Sequence, residues 1–177
     1  MESEDQVPES LQAISNEIPD YFFYLVFQAA RQREIAFDAM LADSGLNMNR
    51  LRILSVIQKI DACTMKDLAR LTAIDRTTLT RAVDQLVDQG LVERCTPADD
   101  RRKVQLTLST AGEAVRRQAV RLINRANRRA LDGISRKQQI AVVEAIHRVI
   151  LNISGDRALA RELITFGGAA RHREVAA

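Results

Sequence analysis

The sequence predicts a mainly α-helical fold carrying one small β-hairpin, with its chemistry concentrated in residues 64–112. Three observations carry this reading. Apolar residues recur at helical spacing, behind polar residues able to cap a helix, along most of the chain. Val104, Leu106 and Leu108 alternate with Lys103, Gln105 and Thr107, the period of a half-buried strand. Between that strand and a second at residues 92–95 lies Asp99-Asp100-Arg101-Arg102-Lys103, a basic turn following a Thr- and Arg-rich helix. A polar helix face and a cationic turn on one small unit suit a protein that grips a DNA duplex with one element per groove.

Residues 1–18 read as an arm, acidic over its first ten residues. A short helical piece at 11–18 is suggested by Leu11, Ile14 and Ile18. Pro19 suits the first turn of a helix. That helix runs to about residue 41 and places Phe23, Phe27, Ala30, Phe37 and Met40 on one stripe, so residues 19–46 form one segment. Asn47 can cap the next helix, which turns Leu51, Leu54 and Ile57 inward. Thr64-Met65-Lys66-Asp67 is a capping-box pattern opening a third helix that buries Leu68 and Leu71. Asp75 caps a fourth, and Gly90 stops it. Residues 47–108 thus form the central unit. Ser109 opens an Arg-rich helix to about residue 131, and Ser135-Arg136-Lys137-Gln138 opens another with Ile140, Val143, Ile146, Ile150 and Ile153 at helical spacing. A short helix at 156–166 closes residues 109–166, and Gly167-Gly168 is expected to end order, leaving 167–177 as a loose tail. The outer helices carry more apolar surface than the small centre can cover, which implies a second copy of the chain.

On the fourth helix, Leu79, Ala82, Val83 and Leu86 share one face, with Thr77, Thr80, Arg81 and Asp84 opposite and Arg76 and Thr78 flanking. Short hydroxyls let a helix backbone approach base edges, and Arg81 can reach guanine or phosphate. An ordinary solvated polar face would look similar, and Asp84 and Asp88 argue for it. An arginine at a hairpin tip can enter a narrow minor groove, with Asp100 steadying its guanidinium; a solvated turn with a local ion pair is the alternative.

Charge distribution says more than the net value of +3. Residues 1–45 hold nine acids against Arg31 and Arg33, and residues 109–137 hold eight bases against Glu113 and Asp132. The α-helical arginines there can face phosphates, the acidic arms or solvent. No apolar run approaches the roughly 18 residues that span a bilayer, and the acidic N-terminus lacks a signal-peptide pattern. A cytoplasmic protein without a membrane partner is expected. Cys63 and Cys95 make no disulfide framework and read as small core residues. With His147 and His172 as the sole histidines, no metal-ligand spacing arises. No catalytic set and no phosphate-cradling glycine loop occur, so neither an enzyme nor a cofactor is expected.

Leu68-Ala69-Arg70, Asp75-Arg76-Thr77-Thr78-Leu79-Thr80-Arg81, Leu86, Gly90-Leu91-Val92, Asp100-Arg101-Arg102 and Leu106-Thr107-Leu108-Ser109-Thr110-Ala111-Gly112 together resemble the winged helix-turn-helix core of the MarR family of bacterial transcription regulators. The resemblance implies a homodimer joined by N- and C-terminal helices, 19–46 and 109–166, on a pseudo-palindromic operator of double-stranded DNA. It implies DNA contacts from Arg76, Thr77, Thr78, Thr80 and Arg81 in the major groove and from Arg101, Arg102 and Lys103 in the wing. Thr78 and Arg81 are the candidates for base contact, and Arg102 for minor-groove insertion. It further implies a repressor released by a small ligand, such as an aromatic acid or its thioester. Phe23, Tyr24 and Phe27 with Arg31 and Arg52 are candidates for that pocket, dimer core being the alternative for the aromatics. The cysteine of oxidant-sensing relatives lies in the first helix, where this chain has none, so a thiol switch is disfavoured. A winged helix that binds protein instead of DNA is the remaining alternative, but it would expose large apolar groups where Thr77, Thr80 and Arg81 stand.

Overall fold

Asn47 accepts a hydrogen bond from the Arg50 amide at 2.9 Å, and the helix behind it is one of several in this chain that begin on a side-chain cap. The computed structural model describes residues 18–96 and 103–174. In chain order, α1 spans Ile18–Leu41, α2 Met48–Lys59, β1 Cys63–Thr64, α3 Met65–Thr72, α4 Arg76–Asp88, β2 Val92–Cys95, β3 Gln105–Leu108, α5 Thr110–Ala130, α6 Arg136–Ile153 and α7 Arg157–Glu174. The mainly helical reading holds, and most expected starts fall on the expected caps. Thr64 and Ser135 each close a capping box, and Ser109 caps α5 through the Gly112 amide at 3.0 Å.

The sheet has three strands in the order β1–β3–β2, all pairs antiparallel. The hairpin β2–β3 was expected; β1 was not. It pairs Cys63 with Leu106 and Thr64 with Gln105. Two residues have no periodicity to read, and only β3 makes them a strand.

The core gathers Leu51, Ile53 and Leu54 of α2, Leu68 of α3, Leu79, Val83 and Leu86 of α4, Val92 of β2 and Leu106 of β3. Among the described residues, Gly112 is the glycine that a close approach demands. A Cβ there would stand 1.9 Å from the Leu91 carbonyl oxygen, so the first turn of α5 rests directly on the chain leaving α4. The Ser109 hydroxyl adds to this junction by donating to the Gly90 carbonyl at 2.7 Å.

Four expectations need correction or placing. Cys63 is fully buried, but Cys95 is exposed, because only the Val92 end of β2 reaches the core. The last helix does not stop at Gly167-Gly168 but continues to Glu174; glycine costs roughly 1 kcal/mol inside a helix and does not forbid it. Of the stripe on α1, Phe37 is buried whereas Phe23, Phe27, Ala30 and Met40 are exposed. The helical piece expected at 11–18 lies outside the described residues up to Glu17.

Candidate nucleic-acid interface

The helix-turn-helix is assembled from α3 and α4. The Thr64 side chain accepts from the Asp67 amide at 3.3 Å, and Asp67 accepts from the Thr64 amide at 3.0 Å and from its hydroxyl at 2.6 Å. Those hydrogen bonds, above all the hydroxyl's, hold the Asp67 carboxyl below the usual carboxylate range. Ala73 then takes the left-handed conformation, φ 55° and ψ 28°, which turns the chain sharply into α4. The Thr72 hydroxyl steadies this turn, donating to the Leu68 carbonyl at 2.7 Å.

Asp75 caps α4 by accepting from the Thr78 amide at 2.9 Å, and hydrogen bonding to Thr78 lowers its pKa. Leu79, Ala82, Val83 and Leu86 are buried on one face, as the spacing requires. Arg76, Thr77, Thr78, Thr80 and Arg81 are all exposed on the remaining surface. The Thr80 hydroxyl donates to the Arg76 carbonyl at 2.9 Å, which leaves its oxygen lone pairs to face outward. The far end closes as a Schellman motif. Gly90, at φ 68°, gives its amide to the Val87 carbonyl and Leu91 gives its amide to the Leu86 carbonyl, both at 2.9 Å.

Asp84, the carboxylate that weighed against a DNA-facing surface, is ion-paired with Arg94 of β2. The pair neutralises that carboxylate and ties α4 to the wing. Sequence reasoning missed Arg94, since nothing local signals a partner ten residues away on another element. At the wing itself, Lys103 is exposed just before β3. Arg101 and Arg102, with the rest of 97–102, lie outside the described residues.

The pocket candidates are not gathered together in one chain. A cavity of about 540 Å³ opens between α1 and α6, lined by Ile18, Phe22, Phe23, Ala145, Arg148 and Val149 among others. Phe23 faces it; Tyr24, Phe27, Arg31 and Arg52 do not. Tyr24 and Phe27 are 56% and 64% exposed on α1. Arg52 stands 3.8 Å from Glu34 of α1 and donates to Asn49 at 3.0 Å. No group of three or more potential metal ligands occurs among the described residues, nor does a helix long and apolar enough to cross a membrane.

Residues 44–103, which run from the start of the helix-turn-helix unit to the wing, match the model of the MarR family. The chain thus carries a MarR-family segment at residues 44–103. It is 24% identical over 127 residues to the multiple antibiotic resistance protein MarR of Escherichia coli K12, covering 72% of this chain and 88% of that protein. Among solved structures, the transcriptional regulator PA3341 superimposes with a TM-score of 0.68 at 28% identity, over 75% of this chain and 98% of that one. BpsR of Bordetella bronchiseptica, whose DNA binding is regulated by 6-hydroxynicotinic acid, shares the fold with a TM-score of 0.65 at 24% identity, over 71% and 90% of the two chains. The fold is thus the winged helix of these regulators, and the exposed Thr/Arg face of α4 lies on the second helix of the helix-turn-helix.

Proposed function

We propose that this MarR-family protein acts as a cytoplasmic homodimeric repressor that holds a pseudo-palindromic operator and leaves it when a small ligand binds. The observation that carries this reading is the exposed Thr/Arg face of α4, tied by Asp84 and Arg94 to the strand that leads into the wing. Thr78 and Arg81 read base edges in the major groove, with Arg76, Thr77 and Thr80 beside them. Arg102 enters the minor groove, with Arg101 and Lys103 on flanking phosphates.

Residues 47–108 are the DNA-reading unit, and 19–46 with 109–166 form the dimer. Support for the second copy comes from exposed apolar side chains on α1 and α6: Phe27 at 64%, Val142 at 60% and Ile153 at 69%. Phe23, Tyr24, Phe27, Arg31 and Arg52 complete an effector pocket once the partner is in place. An aromatic acid, or its coenzyme A thioester, fits rings beside guanidinium groups. That chemistry accords with the 6-hydroxynicotinic acid of BpsR.

Selection of bound duplexes from a random pool tests the reading, followed by a screen of aromatic acids and their thioesters for release. A symmetric enriched motif, freed by one of these compounds, is the expected result. Enrichment of no motif would remove the DNA-reading assignment, and failure of every acid to release the motif would remove the effector class. Arg102→Ala should weaken binding to the selected motif strongly and leave the dimer folded.

A further inference from the structure

α7 lies beyond the segment that matches the family. Asp156 starts it by accepting from the Ala158 and Leu159 amides at 2.9 and 3.0 Å. The helix then returns to the DNA-reading unit. Glu162 ion-pairs with Arg70 in the last turn of α3. Lys59, in the last turn of α2, donates to the Phe166 carbonyl at 3.3 Å and stands 4.4 Å over the Phe166 ring. Phe166 also packs on the core, and Ala160 is fully buried. Arg70 reaches Asp67 as well, at 3.2 Å, so one guanidinium links α7 to the carboxylate that caps α3.

The DNA-reading unit is held to the α5–α6 arm along α5, from Gly112 resting on Leu91 to Ala119 and Ile123 in the shared core, and again by α7 resting on α2 and α3. α5 sets the angle between unit and arm, and α7 braces that angle from a second side. In a two-fold dimer built on those arms, this angle sets the separation of the two α4 helices and hence of the half-sites they read.

We propose that α7 is a strut that sets operator half-site spacing, with Glu162 and Phe166 as positioning residues acting through the orientation of α4. This rests on the DNA-binding dimer proposed above. The Arg70–Glu162 pair is partly exposed, so salt screens it and relaxes the strut.

The test uses the full-length protein as Glu162→Arg, Arg70→Glu and the double exchange. Each is measured against the selected operator and against copies with one or two base pairs inserted or removed between half-sites. Amide hydrogen exchange over residues 65–72 is followed without DNA. Glu162→Arg should lose roughly threefold on the native spacing, as expected for an exposed pair, discriminate less between spacings and exchange faster in α3. The double exchange should restore both readouts. A single variant that keeps the native spacing profile and native exchange would overturn the strut. So would a double variant with native exchange but unrestored binding, because Arg70 would then be touching DNA itself. A wild-type protein with native exchange protection that binds all spacings alike would instead overturn the dimeric reading on which the proposal stands.

Discussion

Arg94, in the middle of β2, holds the Asp84 carboxylate of α4 in an ion pair, so α4 and the base of the wing carry a shared charge contact. Both side chains are partly exposed, which keeps the contribution to stability within about 1 kcal/mol. The larger consequence concerns DNA, since Arg94 cancels a carboxylate on the helix proposed to enter the major groove. Arg94→Ala should melt nearly as the parent does yet bind operator more weakly. Adding Asp84→Asn should recover part of the lost affinity, read by mobility shift at fixed salt. Equal weakening in the single and double variants would show that Arg94 itself contacts DNA.

Gly112 lies where α5 crosses Leu91 with no room for a side chain. Alanine there would gain roughly 1 kcal/mol of helix propensity. It would also force the Leu91 backbone aside, an overpacking cost of about 1–3 kcal/mol or more. The net expectation for Gly112→Ala is a lower urea midpoint. A midpoint at or above the parent's would mean that the junction yields freely.

Cys63 is buried in β1, and burial, with Asp67 nearby, pushes its thiol up to about 12. Thiolate is the reactive form, so Cys63 should resist alkylation at pH 8 while the exposed Cys95 reacts. Mass spectrometry after iodoacetamide should find one adduct in the folded protein and two in urea. Two adducts in the folded protein would place Cys63 within reach of solvent and revive a thiol-based switch.

Asp67 is held below its ordinary range by the Thr64 hydrogen bonds. A depressed carboxyl stabilises the fold above its unfolded value, about 3.9, and that stability is lost as pH falls through the lower folded value. Asp67→Asn should therefore cost on the order of 1 kcal/mol at pH 7, the usual worth of a cap. The gap to the parent should shrink toward pH 3. A gap that stays constant with pH would assign the effect to packing.

The local signals of this chain were readable because caps and turns are local. Asn47, Thr64 with Asp67, Asp75, Ser109 and Ser135 with Gln138 each begin a helix where hydrogen-bonding geometry allows nothing else so well. The buried face of α4 followed from helical spacing, and its exposed Thr/Arg face from what remained. What escaped was long-range. β1 exists because β3 pairs with it, Arg94 matters because Asp84 comes near, and α7 returns to Arg70 and Lys59 from far along the chain. Cys95 was misplaced for a related reason: alternation along β2 does not reveal that the sheet outruns the core.

Replacing Arg81 tests the central assignment most directly, because it is exposed on α4 and caps nothing. Affinities of Arg81→Ala would be measured for the selected operator and for each single-base change within it. The expected result is a loss of about 1–3 kcal/mol on the parent operator, with discrimination relaxed at one symmetric pair of positions. Unchanged affinity, or the same loss on every sequence, would contradict base reading by this helix.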